Sequence, residues 1–201
     1  MTDRDRFSAV MHYRDRDRTF FTDFSYTNDT LENWYEQGLP RGTNMDAYFG
    51  LDVFWRGAGI DVGLYPGFKS EIIEDRGNQV VERQSDGVVV LRQKRGRTIP
   101  HEIDHLLKTR ADWNTHYKPM LDPTTPGRYP KDWAERVKKW KDRDWPLVIN
   151  GGSLYGWLRD WMGMEAISYV IYDDPAWFEE MVVTVADCIL GAVERALNEV
   201  Q

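Results

Sequence analysis

The stretch that most constrains the fold runs from Trp145 to Gly163, with the sequence Trp-Pro-Leu-Val-Ile-Asn-Gly-Gly-Ser-Leu-Tyr-Gly-Trp-Leu-Arg-Asp-Trp-Met-Gly. Residues 147–149 are apolar, too few for a helix and introduced by Pro146, so they read as a fully buried strand. Asn150, Gly151, Gly152 and Ser153 then turn the chain, with glycine where φ is positive or another group comes close. Ser153 is placed to cap the next helix, in which Leu154, Trp157, Leu158, Trp161 and Met162 recur at helical spacing. Strand, glycine turn and amphipathic helix make one βα step of a parallel sheet, and in such sheets chemistry sits after the strand's C-terminal end. Asn150, Gly151 and Ser153 are therefore candidate substrate-binding residues, with backbone N–H groups available to an anion. Arg159 is a further candidate, whose alternative is a partner in solvent or Glu165.

A second buried strand is expected over residues 19–24, which are β-prone and bounded by polar residues. Asp23 falls near its C-terminal end, followed by Tyr26. Asp23 is the candidate catalytic carboxylate, or else the cap of a helix over 30–37 that Gly38 ends; Tyr26 is a substrate-binding candidate. Before it, Thr2 and Asp5 suit a capping box for a short helix carrying Phe7, Val10 and Met11 on one face. After it, residues 44–49 read as a helix stopped by Gly50. The character then changes. Three strand-like runs, 71–76, 79–84 and 88–93, are punctuated by Gly77-Asn78 and Asp86-Gly87 and read as an antiparallel meander. Four prolines between 119 and 130 stiffen a connection, and Trp133, Val137 and Trp140 mark a helix leading into 145–163. A short helix over 165–172 follows. Asp174 before Pro175 opens the last helix, with Phe178, Met181, Val182, Val185, Ile189, Val193 and Leu197 as its stripe. The fold class is α/β, one domain over 1–201 with a meander excursion at about 70–95.

At a length of 201 residues, 41% hydrophobic and 29% charged, the chain can bury a real core. Its net charge of -7 argues against nucleic acid and against a polybasic membrane contact. No long apolar run and no signal-like N-terminus is present, which with a single cysteine, Cys188, points to a reducing cytoplasm. Cys188 lies in a mostly apolar helix and reads as a packed thiol. Nine Trp and ten Tyr are unusual, and serve either to fill a core or to line a ligand site.

His101-Glu102-Ile-Asp-His105 spells the zinc-hydrolase signature, which needs both His one helical turn apart. Pro100 allows at most a helix start here, Asp104 adds a charge beside the second ligand, and the position of a third His is Ala111. No metal ligand is assigned on this evidence; a zinc hydrolase is the weakest reading.

Several motifs in order resemble the uroporphyrinogen decarboxylase superfamily: Thr2-x-Arg-x-Arg-Phe7, Phe20-Phe-x-Asp-Phe24, Phe49-Gly-Leu-Asp-Val-Phe54, the Asp86-Gly87 hairpin, Ile99-Pro-His101, Lys108-Thr-Arg-Ala-Asp-Trp113, Met162-Gly-Met-Glu165 and Tyr172-Asp-Asp-Pro175. The resemblance is closer to its uncharacterised, methyltransferase-related branch. It implies a (β/α)₈ TIM barrel, here its N-terminal portion, and a connecting-loop role for 101–105. Members either decarboxylate a tetrapyrrole without a cofactor or move methyl groups to or from corrinoid proteins or thiols. In this light Asp23 accepts hydrogen bonds from pyrrole N–H groups or handles a proton. The arginine-rich loop of the decarboxylases is replaced by Ser25-Tyr-Thr-Asn-Asp-Thr30, and fixed guanidinium forks for a polycarboxylate are missing there. The methyltransferase His-x-Cys and later Cys are absent too. No cofactor is therefore expected within this chain; zinc or a corrinoid belongs to a C-terminal part. A barrel takes roughly 250 residues, so the expectation is an N-terminal portion that self-associates or pairs with a complementing half-barrel. The alternative is a non-catalytic module docking a corrinoid protein or a second half.

Overall fold

The computed structural model describes residues 1–95 and 99–200. The chain divides into two compact units. The first is built from Met1–Gly59 and Lys131–Ile149 with the C-terminal residues from Glu199, the second from Ile60–Pro130 and Asn150–Asn198.

In the first unit, helix α1 (Asp3–Met11) begins where Thr2 accepts the Asp5 N–H at 3.1 Å. The face it buries is not the expected one. Arg6 and Ala9 are inside, while Met11 is exposed. The Arg6 guanidinium is drawn in by carboxylates: Asp17 takes its Nε and Nη2 at 2.8 and 2.9 Å, and Asp3 and Asp52 take Nη1. Phe7 instead packs at the edge, against Phe20 and Phe54 at 5.4 and 5.3 Å between ring centroids. Helix α2 (Asn28–Glu36) is capped by Thr27, whose Oγ1 accepts the Thr30 N–H at 3.2 Å, so Asp23 is not its cap. Helix α3 (Met45–Phe49) runs from its cap Asn44 to Gly50, which ends it in the left-handed region at φ 65°.

Residues 19–24 are not a buried strand. They are irregular, and Phe21 and Phe24 face solvent. The reason is a side chain that satisfies the backbone in place of a neighbouring strand: Phe21 N–H donates to Asp52 Oδ2 at 2.7 Å, and Asp52 N–H to Phe21 O at 2.7 Å. Residues 147–149 are extended but only half-buried. Their sheet contact is a single parallel bridge, in which Val148 N–H donates to Arg56 O and Val148 O accepts from Ala58 N–H, both at 2.9 Å.

The second unit holds the meander. Strands β1 (Glu71–Asp75), β2 (Gln79–Arg83), β3 (Val88–Gln93) and β4 (His101–His105) form one antiparallel sheet in sequence order. Gly77 and Gly87 turn with φ of 78° and 89°, as their places between the strands require. The fourth strand corrects the reading of 101–105 as a helix start or connecting loop. Pro100 withholds helix but not strand, and β4 pairs with β3 from His101 opposite Leu91 to His105 opposite Val88.

Beyond the sheet, α4 (Arg110–Asp112) opens with a Thr109–Asp112 capping box and continues as a wide turn over Trp113–Tyr117 and a tight one over Lys118–Leu121. Trp113, Tyr117 and Leu121 are buried. Arg128 is buried too, donating to the carbonyls of Asp122, Asp61, Gly63 and Met120 at 2.6–3.0 Å, which ties the proline-rich connection down. In the first unit, α5 (Trp133–Trp140) buries the two Trp that define its stripe.

Helices α6 (Gly156–Met162), α7 (Met164–Asp173) and α8 (Pro175–Glu199) complete the second unit. Asp174 caps α8 through the Trp177 N–H at 3.1 Å. The core-facing stripe of α8 is Met181, Val185, Cys188, Ile189, Ala192, Val193 and Ala196; Leu197, expected within it, is exposed. Cys188 is fully buried, with its thiol pushed up by burial, as a packed residue should be. Among the described residues, no helix is long and apolar enough to cross a membrane.

Candidate functional site

The expected site residues fall into two groups. Asp23 and Tyr26 belong to the first unit; Asn150, Gly151, Ser153 and Arg159 belong to the second. Asp23 and Tyr26 are brought together. Burial first, and then the neighbouring Asp23 carboxylate, raise the Tyr26 phenol above its ordinary range. Asp23 is fixed from two sides, since its carbonyl accepts the Trp55 indole N–H at 2.8 Å and its Oδ1 the Phe24 N–H at 2.7 Å.

Beside Tyr26 the chain gathers an aromatic cluster that borders a cleft. The Tyr26 ring lies 5.3 Å from that of Trp34 on α2 and 6.0 Å from that of Phe49 on α3; Tyr48 stands edge-on to Phe49 at 5.1 Å. These separations are those of aromatic pairs in favourable contact. Trp34, Tyr48 and Phe49, with Leu39, Pro40 and Met45, line a cleft of about 500 Å³, within the range of small-ligand sites. The turn that closes α2 at Gly38 supplies its far wall. Arg41, the first arginine after Asp23, is held by both oxygens of Glu32 at 2.6 and 2.9 Å and lies over the Tyr35 ring, so its charge is already answered.

The buried Asp52 anchors this part of the chain. Both of its oxygens receive Arg18, Oδ1 also receives Arg6, and Oδ2 receives the Phe21 N–H. Burial by itself would raise this carboxyl; the Arg18 fork, the Phe21 N–H and Arg6 outweigh it and hold the group below the usual carboxylate range. Asp52 was missed in the sequence. Its signal is an acid inside the apolar run Leu51-Asp52-Val53-Phe54, a charge that burial obliges to find a partner.

In the second unit the glycine turn uses its own donors. Gly152 N–H goes to Asn150 Oδ1 and Gly156 N–H to Ser153 Oγ, each at 2.9 Å. Ser153 Oγ thus accepts the first N–H of α6, while the residue at the N-cap position is Tyr155, whose side chain makes no cap bond. Gly151 has open space where a side chain would project, whereas a Cβ on Gly152, at φ 63°, would meet Trp157 and Ile189. Arg159 pairs with its neighbour Asp160 at 2.7 and 2.9 Å rather than with Glu165.

The H-E-x-x-H letters do not make a zinc helix. They lie on β4, where the pairing slips between Val89 and Val90 so that Ile103 bulges. Glu102 and His105 oppose Val90 and Val88 and share one face; His101 opposes Leu91 and takes the other. The two imidazoles thus cannot close on one ion. Among the described residues, no cluster of three or more His, Cys, Asp or Glu is arranged to hold a metal.

Compared with family models, with curated proteins and with solved structures, the chain finds no match.

Proposed function

We propose that this chain is a uroporphyrinogen decarboxylase-like protein that binds a cyclic tetrapyrrole, or a corrinoid, at the aromatic cleft of its first unit. The observation that carries the reading is the pairing of Asp23 and Tyr26 beside Trp34 and Phe49. A macrocycle of pyrroles offers a face for such rings and, where it is metal-free, inward N–H groups for a carboxylate; against a corrinoid only the face and the proton-relay role of Asp23 apply. Asp23 accepts those hydrogen bonds or relays a proton, and Tyr26 orients it. The accompanying fold reading, a portion of a (β/α)₈ barrel with an inserted meander, rests on the sequence resemblance, to which the structure adds the antiparallel meander and a single parallel bridge between Gly57 and Val148. The reaction class is decarboxylation or corrinoid-dependent methyl transfer. The occupied Arg41 and the arginine-free segment 25–30 favour the second, since a polycarboxylate has no free guanidinium fork at this cleft among the residues lining it.

Absorbance titration with a porphyrin and with hydroxocobalamin tests this. A saturable Soret or corrin band shift that weakens in Trp34→Ala and Asp23→Asn supports the proposal; no shift with either pigment removes it.

A second reading, a non-catalytic assembly module, is favoured by a different observation. Phe21, Phe24 and Trp55 expose 57%, 77% and 58% of their surface, a concentration of bare aromatics suited to a corrinoid protein or a complementing half-barrel. Sedimentation velocity over a wide concentration range distinguishes it, since a docking face used by a second copy drives association that Phe24→Ser and Trp55→Ser abolish.

A further inference from the structure

Within the second unit, α8 presents a face opposite to its core stripe. There Val183, Leu190 and Leu197 expose 49%, 64% and 65% of their surface. They recur every seven residues, which on an α-helix sets them in one row, about 21 Å from end to end. Ala186, half-buried between the first two, keeps the row low enough for another backbone to come close. A second row runs beside it. Glu180, Asp187 and Glu194 repeat at the same interval, each three or four residues from its apolar neighbours and so one turn away. Glu180 is answered by Arg110 and Lys118 at 3.1 and 2.7 Å. Asp187 and Glu194 are exposed, and among the described residues no ion pair reaches either. Arg195, the only basic residue of α8, is turned to the Tyr129 ring, 5.0 Å from its centroid.

Single exposed leucines are ordinary on a surface, but a row of them in register with unanswered carboxylates is a docking pattern. We propose that this ridge docks a basic amphipathic helix of another protein. Its apolar residues, seven apart, lie against Val183, Leu190 and Leu197, and its Lys or Arg side chains meet Asp187 and Glu194. A second copy of the chain fits the ridge less well. Each copy carries a net charge of -7, and antiparallel pairing of the ridge with itself sets Asp187 and Glu194 against their counterparts. The three side chains leave on the order of 300 Å² bare, well short of the roughly 800 Å² that each folded partner gives to a stable interface. That area suits a single helix laid along about four turns. The ridge uses no residue of the aromatic cleft and is independent of the tetrapyrrole reading.

The test uses the whole chain and two labelled peptides of about 18 residues, long enough to span the ridge. Both carry Leu at heptad spacing; one has Lys at the flanking positions, its twin Glu. Fluorescence anisotropy is expected to show saturable binding of the Lys peptide and at least about tenfold weaker binding of the Glu twin. General attraction between a basic peptide and an acidic protein gives the same contrast, so the deciding variants remove apolar surface and no charge. Leu190→Gln and, separately, Leu197→Gln change side chains outside the core and should keep the parent's circular dichroism. Each weakens the Lys peptide at least about tenfold. No saturable binding, equal affinity for the two peptides, or unchanged affinity in both variants overturns the proposal. So does self-association of the parent chain in sedimentation velocity that Leu190→Gln abolishes, since that assigns the ridge to a second copy.

Discussion

Arg6 on the first helix donates to the carboxylate of Asp52, and both side chains are almost wholly buried. Around this pair Arg18, Asp17 and Asp3 complete a network in which each Asp52 oxygen receives two donors. A buried pair of this kind is worth little over an apolar replacement, yet breaking one partner leaves an uncompensated charge inside. Asp52→Ala is therefore expected to destabilise the first unit by about 3–5 kcal/mol, read from urea unfolding. A loss under about 1 kcal/mol would mean that the network is not formed in solution.

The same network sets an acid limit. The Asp17 carboxyl is held far below its ordinary range, chiefly by its hydrogen bonds from Arg6. A carboxyl whose folded value is depressed contributes stability that is present above its unfolded value and lost as pH falls through the folded one. Thermal melts from neutral pH down to about pH 3 should show this loss beginning as the pH falls into the usual carboxylate range, near about pH 4, and deepening below it. Asp17→Asn should flatten that limb while lowering the neutral-pH melting temperature.

Asp86 behaves in the opposite sense. Burial raises its carboxyl, the charge of Asp160 adds to this, and the Val88 N–H and His105 oppose it. The folded chain therefore binds that proton more tightly, and the associated stability is lost as pH rises through the raised value. Asp86→Asn keeps the acceptor for Val88 and removes the charge. It should raise the melting temperature at neutral pH, by about 2–4 °C for each kcal/mol gained, and change it little in acid.

At the turn before α6, Gly152→Ala should cost about 1–3 kcal/mol. The substitution combines a left-handed backbone with a methyl group driven into Trp157 and Ile189. Gly151→Ala, facing open space, is the control and should change stability by less than about 0.5 kcal/mol.

For the aromatic cleft, Trp34→Ala should weaken porphyrin or cobalamin binding by about tenfold or more, in line with loss of one large ring from a stacked site. Tryptophan fluorescence should quench on binding in the parent chain. Equal affinity in parent and variant would place the ligand elsewhere.

What could be read in the sequence was local. The caps at Thr2 and Asp174, the helix stop at Gly50, the hairpin glycines and the buried Cys188 all rest on the chemistry of a few adjacent residues, and the structure has them. Residues 19–24 misled because β-propensity states what a backbone tolerates, and Asp52, distant in sequence, satisfied that backbone first. For β4, alternation alone would have put His101 and His105 on one face; the bulge at Ile103 separates them, and no local pattern announces it. Of the candidate residues, Asp23 and Tyr26 are picked out only by their place after an apolar run. The rings against Tyr26 come from α2 and α3 and could not be assigned to a cluster before those helices were placed.

The sequence by itself thus determined where helices start and stop, where the meander turns, and that the thiol is packed, because each depends on steric and hydrogen-bonding preferences within a few residues. Only the tertiary structure decided that Arg6 is buried and Phe24 exposed, that Asp52 replaces a strand partner, and that His105 faces Glu102 instead of His101. Those outcomes depend on which distant charge or backbone group reaches a site first. Burial makes that choice costly to reverse, and a one-dimensional pattern carries no record of it.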